Sequence, residues 1–262
     1  MYELLHEQGN YFWLLLVSIL SVSIVSLLAV FFIRFVRLVY PLRGSAGIVT
    51  TMLSGILLPT GMVIAFVASD IWKMDENGRA ALEEEGAALS DIVRISKYLP
   101  AAEGEKMLSN LRLYTEAVLD DEWHVMNEGL DSPIADQALN DLMLDAHRIE
   151  NRSTDFRHAA IGQELRHYVK NIEVARDKRL AIAQSSTRGP KWVAVFILLF
   201  VSACVIAELH YGAKRSRNVA LGLFSLGFGV TIFLITAYDR PYKGLSTIEP
   251  VQLHTALSRS YK

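Results

Sequence analysis

Two carboxylate–histidine pairs at i, i+3 spacing, Asp155 with His158 and Glu164 with His167, are the residues best spaced for metal chemistry. One helical turn sets a carboxylate beside an imidazole, as in the di-iron sites of helical bundles. Such a site needs its pairs on facing helices together with two further carboxylates. Here both pairs fall on one helix or its start, among Arg157 and Arg166. They read as a solvated face, and no metal or cofactor is expected. A single cysteine, Cys204, excludes an internal disulfide and a cysteine-based zinc site. The chain contains no nucleotide-binding glycine loop, HExxH, G-x-S-x-G or CxxC. No catalytic residue stands out, and an enzyme is not expected.

The elements that position these residues follow from where the apolar side chains lie. Of 262 residues 52% are apolar, and the mean hydropathy is +0.26. A net charge of −2 leaves no basic field for nucleic acid. Uncharged runs of 26, 26, 16 and 21 residues follow Glu7, Arg43, Lys191 and Arg217. About 20 apolar residues cross a hydrocarbon core as a helix, and the third run reaches that length if Glu208 lies near a headgroup region. The expected fold is therefore an all-α membrane protein with four transmembrane helices as two hairpins and an inserted all-helical extramembrane bundle. After an N-terminal segment, 1–10, the spans are placed at 11–33, 47–69, 191–209 and 218–238. Turns occupy 34–46 and 210–217, the inserted domain 70–190, and the tail 239–262.

Arg34, Arg37 and Arg43 in one turn, and Lys214, Arg215 and Arg217 in the other, put both turns on the cytoplasmic side by the positive-inside rule. The inserted domain is then extracytoplasmic, periplasmic in a Gram-negative cell. It carries 15 Lys and Arg against 23 Asp and Glu, an acidic surface that keeps it out of lipid. Apolar residues at helical spacing predict four helices within it. The first carries Leu82, Leu89, Ile92 and Val93 and stops at Leu99-Pro100, and the second runs from Met107 to Val125 before Gly129. Ser132-Pro133 is an N-cap with proline at the first helical position of the third. Ile161 to Ala175 form the fourth.

The stretch ALEEEGAALSDIVRISKYLP and the following LRLYTEAVLDDEWHVMNEG, with Tyr114, Glu122 and Trp123, resemble the central region of the bestrophin-like family of bacterial membrane proteins. The tail agrees: Asp239, Arg240, Pro241 and Gly244 in DRPYKG, followed by Glu249-Pro250, resemble the DRPF-x-G and proline that close those proteins after their last span. Tyr242 stands where phenylalanine is usual. The resemblance covers about Leu82 to Leu257 and implies a multi-pass protein of the bacterial inner membrane, akin to the homo-oligomeric anion channels called bestrophins. Its implied partners are the lipid bilayer, copies of itself and inorganic ions. It transfers no pore residues and carries no catalytic chemistry.

Within the spans, Thr51, Ser54, Gly55 and Pro59 make one part of the second helix polar and open to kinking, along with Thr50, Thr60 and Gly61. These residues suit either a pore lining or close helix packing. Ser225 and Gly229, with Gly222, form a small-residue face on the fourth span with the same two readings. Ser18 and Ser21 are expected to bond back to their own helix. No ionisable residue lies in the middle of a span, which argues against an ion-coupled carrier. Asp70 and Asp239 mark span ends that could share an outer acidic rim. Asp239-Arg240 can pair or cap there, and Pro241 ends the helix. Trp123 reads as an aromatic anchor to the membrane or a neighbour. Two functions follow as expectations: a homo-oligomeric ion channel or pore, or a membrane-anchored sensor or scaffold whose extracytoplasmic bundle binds a partner or small ligand.

Overall fold

The computed structural model describes residues 2–40, 46–152, 156–185, 189–242 and 247–261, with side chains except at 2–9, 46–51, 152 and 156. Among the described residues there are helices and no strand. Four are long and apolar enough to cross a membrane: α1 (Tyr2–Val39), α2 (Ala46–Ser96), α7 (Gly189–Leu209) and α8 (Lys214–Tyr238). The others are α3 (Ala101–Ala117), α4 (Trp123–Val125), α5 (Pro133–Arg152), α6 (Phe156–Gln184) and α9 (Val251–Ser260). The connection between α1 and α2 lies outside the described residues. α7 and α8 are joined by a turn in which Ala213 N donates to His210 O at 3.1 Å.

The chain divides into two compact units, Met1–Lys73 with Thr187–Asp239, and Met74–Ser186 with Arg240–Lys262. In the first, α1 packs on α7 and α8, and α7 on α8. Val22, Ala29, Ile64, Val67, Leu199 and Ile232 are among its buried residues. The Ser26 and Ser225 hydroxyls meet at 3.0 Å across α1 and α8. One turn further, a Cβ on Gly229 would stand 2.7 Å from Ile19 Cα, so only glycine permits that approach. Ser18 donates to Leu14 O at 2.8 Å and Ser21 to Ser18 O at 2.7 Å, the expected back-bonds.

In the second unit α3 packs on α5 and α9, and α5 on α6, around a core including Leu82, Leu89, Met107, Leu111, Leu142, Leu165 and Leu253. Ser132 caps α5 as its sequence predicts, its Oγ accepting from Ala135 N at 3.3 Å. Two helix boundaries differ from expectation. The helix that carries the second span continues without a break to Ser96, taking in the first helix expected in the inserted domain, because only polarity changes at Asp70 and no proline intervenes. The helix expected from Met107 to Val125 ends at Ala117 and passes through a π-helical turn, Val118–Glu122, before Gly129 (φ +83°) closes the segment. The tail forms α9 and joins the second core.

Candidate functional site

The first unit distinguishes its helices by what they expose. α1 presents Phe12, Leu16, Leu20, Leu27, Phe31 and Phe35; α8 presents Val219, Leu223, Leu226 and Leu234, with the open Gly222 and Gly227 among them. These bulky apolar surfaces match hydrocarbon. α2 exposes a mixed face on which Ser54, Gly55, Pro59 and Gly61 alternate with Leu58, Met62 and Phe66. Nothing lies within 4 Å of a Cβ built on Gly55 or Gly61. Pro59 lacks an N–H, so the Gly55 carbonyl loses the donor that an uninterrupted helix supplies. On the opposite side of α2, Thr60 is fully buried, and its hydroxyl meets that of Ser202 on α7 at 3.1 Å.

The remaining span residues separate along the same lines. Ser225 and Gly229 are buried in the contact between α1 and α8, whereas the side chain of Thr51 lies outside the described residues. Asp70 receives an ion pair from Lys191, with Nζ 2.6 Å from the carboxylate. Asp239 follows the last residue of α8 as its C-cap. At the opposite ends of α1 and α7, Glu208 pairs with Arg37, whose Nε lies 3.0 Å from the carboxylate and whose guanidinium sits 3.9 Å over the Tyr211 ring. Of the carboxylate–histidine pairs, Glu164 and His167 lie exposed on α6, and His158 faces Glu103 at 3.5 Å. Asp155 lies outside the described residues.

The second unit holds a buried charge network. α6 carries Arg176 and Arg179 three residues apart, α2 contributes Glu85, and the π-helical turn turns Glu122 inward. Arg179 Nε donates to Glu85 Oε2 at 2.8 Å, and its Nη2 reaches both Glu85 Oε1 at 3.2 Å and Glu122 Oε1 at 2.8 Å. Arg176 forks onto Glu122, with Nε at 2.9 Å from Oε2, and also binds Asp136 on α5. Tyr114 on α3 donates to Glu85 Oε1 at 2.7 Å. Glu85, Glu122 and Arg179 are fully buried, and their charges are matched within the cluster. Burial pushes the Glu122 carboxyl up, but the hydrogen bond from Arg176 and the charges of Arg179 and Arg176 outweigh it and hold it below the usual range. Burial, reinforced by the charge of Glu85, pushes the Tyr114 phenol well up, so it stays a neutral donor.

The tail is tied into this unit. Buried Tyr242 donates to Gly78 O at 2.8 Å, and its carbonyl accepts from Asn127 Nδ2 at 3.3 Å. Its ring meets Trp123 edge-on at 5.6 Å, while the Arg179 guanidinium lies 5.6 Å from the same indole. Trp123 is therefore half-buried within the unit rather than an outward anchor, because the network and the tail cover its two sides. Pro241 accepts from Ile248 N at 2.8 Å, Arg240 is exposed, and Gly244 lies outside the described residues.

A helical chain with four spans, a charge network keyed by Glu122 and a tail anchored by DRPY can be set beside known proteins. The model of the bestrophin-like domain matches residues 19–253. The chain belongs to the bestrophin-like family. A bacterial bestrophin homologue from Klebsiella pneumoniae, solved by zinc-based phasing, aligns at 13% identity with TM-score 0.64, covering 94% of this chain and 96% of its own. Two single-residue variants of that homologue align at 12% and 11% identity with TM-scores of 0.65 and 0.69, each over 94% of this chain and 97% of its own. At such identities the likeness is one of fold. No curated protein matches the sequence.

In this bestrophin-like chain, Tyr114, Glu122, Trp123 and the DRPY segment thus build and latch the helical unit. Glu85, Arg176 and Arg179 complete the network, and sequence reasoning missed them by counting their charges with the acidic surface of the inserted domain. The signal was available. Glu85 lies in register with Leu82, Leu89 and Ile92, as Arg176 and Arg179 do with Leu165, Val169 and Ile172. A charge inside an apolar stripe needs a buried partner.

Proposed function

We propose that this bestrophin-like protein is a homo-oligomeric ion channel whose pathway is lined by the exposed face of α2. The observation that carries this reading is the contrast between that face and the bulky apolar surface of α1. A proline-freed carbonyl, Ser54 and two open glycines suit water rather than lipid, and Leu58, Met62 and Phe66, four residues apart, suit an apolar constriction that gates by dewetting. Ser225 and Gly229 leave the lining, since their places are taken by α1. The pairing of Asp70 with Lys191 weakens a purely acidic rim.

The test is current across a planar bilayer containing the purified oligomer under asymmetric salt. Gly55→Leu has room in the protomer. It should leave folding intact and cut conductance at least several-fold if the face lines a pathway; unchanged conductance refutes the lining. Cation preference in the reversal potential would support the rim, and anion preference the kinship with bestrophins. Silence from folded, inserted protein would transfer the reading to a membrane-anchored sensor or scaffold. The bilayer is that of the bacterial inner membrane, with the 34–46 and 210–217 turns cytoplasmic. With Arg37 engaged by Glu208, that orientation rests on Arg34, Lys214, Arg215 and Arg217 among the described residues. Labelling of Ser216→Cys by an impermeant thiol reagent in intact spheroplasts would reverse it.

A further inference from the structure

The turn end of the first unit contains a cation for which the described residues supply no counter-charge. Arg217, in the first turn of α8, has 7% of its surface exposed. Its Nε is enclosed without an acceptor, and among the described residues no carboxylate pairs with it. α1 and α8 run antiparallel, and Arg34 and Arg217 each stand eight residues along their helix, toward this end, from the contact of Ser26 with Ser225. Arg34 is exposed, with its guanidinium 6.0 Å from the Phe31 ring. Lys214 and Arg215 are exposed on the same turn of α8. The carboxylate nearest in sequence, Glu208, is held by Arg37 through both oxygens. Five cations, Arg34, Arg37, Lys214, Arg215 and Arg217, thus belong to the adjoining ends of α1 and α8, where Glu208 is engaged by Arg37.

An enclosed guanidinium Nε without an acceptor is costly, and a guanidinium fork fits the paired oxygens of a phosphate or a carboxylate. The position narrows the source. Arg34 and Arg217 terminate the uncharged stretches of α1 and α8, the depth at which phospholipid headgroups begin, and Tyr211 at this end is an interfacial residue type. We propose that Arg217 and Arg34 form a binding site for a phosphate oxyanion, supplied by the headgroup of an anionic lipid, with Lys214 and Arg215 raising its local concentration. The site is independent of the ion pathway.

The experiment uses the full chain in neutral detergent micelles. Phosphatidylglycerol, phosphatidylcholine and inorganic phosphate are titrated separately, and the thermal midpoint and the lipids bound in native mass spectrometry are followed. Phosphatidylglycerol should raise the midpoint by several degrees and phosphatidylcholine should not. Arg217→Gln should bind phosphatidylglycerol at least tenfold more weakly, yet melt no lower than wild type without added lipid, because its lone buried charge is gone. A shift produced by inorganic phosphate and abolished by Arg217→Gln would support the same site with a free anion as its occupant. Equal responses to the two lipids would overturn the proposal. So would an unchanged phosphatidylglycerol affinity in Arg217→Gln, or loss of the oligomer in that variant without loss of lipid, which would mark a neighbouring carboxylate as the partner. If Arg217→Gln does not fold, Arg217→Lys and Arg34→Gln provide the comparison, and wild-type affinity in both has the same meaning.

Discussion

Replacing Arg179 by leucine tests whether the buried network is held together by charge. The substitution removes the donors to Glu85 at 2.8 and 3.2 Å and to Glu122 at 2.8 Å. Glu122 keeps Arg176, but Glu85 is left with only the Tyr114 hydroxyl at 2.7 Å. Breaking one side of a buried ion pair costs about 3–5 kcal/mol. A second route gives a similar figure, since an orphaned carboxylate can escape by taking up a proton. For a glutamate of ordinary acidity, pKa about 4.3, that costs roughly 1.4 kcal/mol per pH unit, or about 3.7 kcal/mol at pH 7. The assay is denaturant unfolding of the full chain in detergent, followed by far-ultraviolet circular dichroism and tryptophan fluorescence, at pH 7 and pH 5. Arg179→Leu should lose about 3–4 kcal/mol at pH 7, and the deficit should shrink by roughly 2–3 kcal/mol at pH 5 as protonation becomes cheap. The double variant Glu85→Leu, Arg179→Leu should regain most of the loss. A deficit below 1 kcal/mol, or one independent of pH, would refute the reasoning and assign the arginine a packing role.

Three further outcomes are expected. Because the folded chain holds the Glu122 carboxyl below its ordinary range, its contribution is complete above about pH 4.3 and is lost as pH falls through the lower folded value; thermal midpoints should be flat from pH 8 to 5, fall below about pH 4, and fall less in Glu122→Gln. Gly229→Ala should destabilise by about 1–3 kcal/mol through the clash with the Ile19 backbone, although alanine is the better helix former by about 1 kcal/mol, whereas Gly55→Ala should not destabilise; chemical unfolding of the pair decides it. Tyr242→Phe, which installs the residue usual in the family, removes the bond to Gly78 O and should cost about 1 kcal/mol, read as a lower thermal midpoint with the fold retained.

Uncharged runs of spanning length and the periodic apolar residues between them sufficed to determine four membrane helices and a helical insert. Both are consequences of local pattern: lipid demands length without charge, and a helix buries one stripe. The Ser132 cap and the back-bonded serines were legible for the same reason, since their partners lie within one turn. What required the tertiary structure was every relation between residues distant in the chain. Glu85 and Arg179 are 94 residues apart, and neither the sign of a charge nor its spacing states which opposite charge will meet it once both are desolvated. The tail was read as a short motif, yet its function as a latch depends on Gly78, 164 residues earlier. Likewise Ser54 and Ser225 look alike in sequence. Only packing decided that one stays on an open face while the other is enclosed by α1, because burial is set by the neighbouring helix and not by the residue itself.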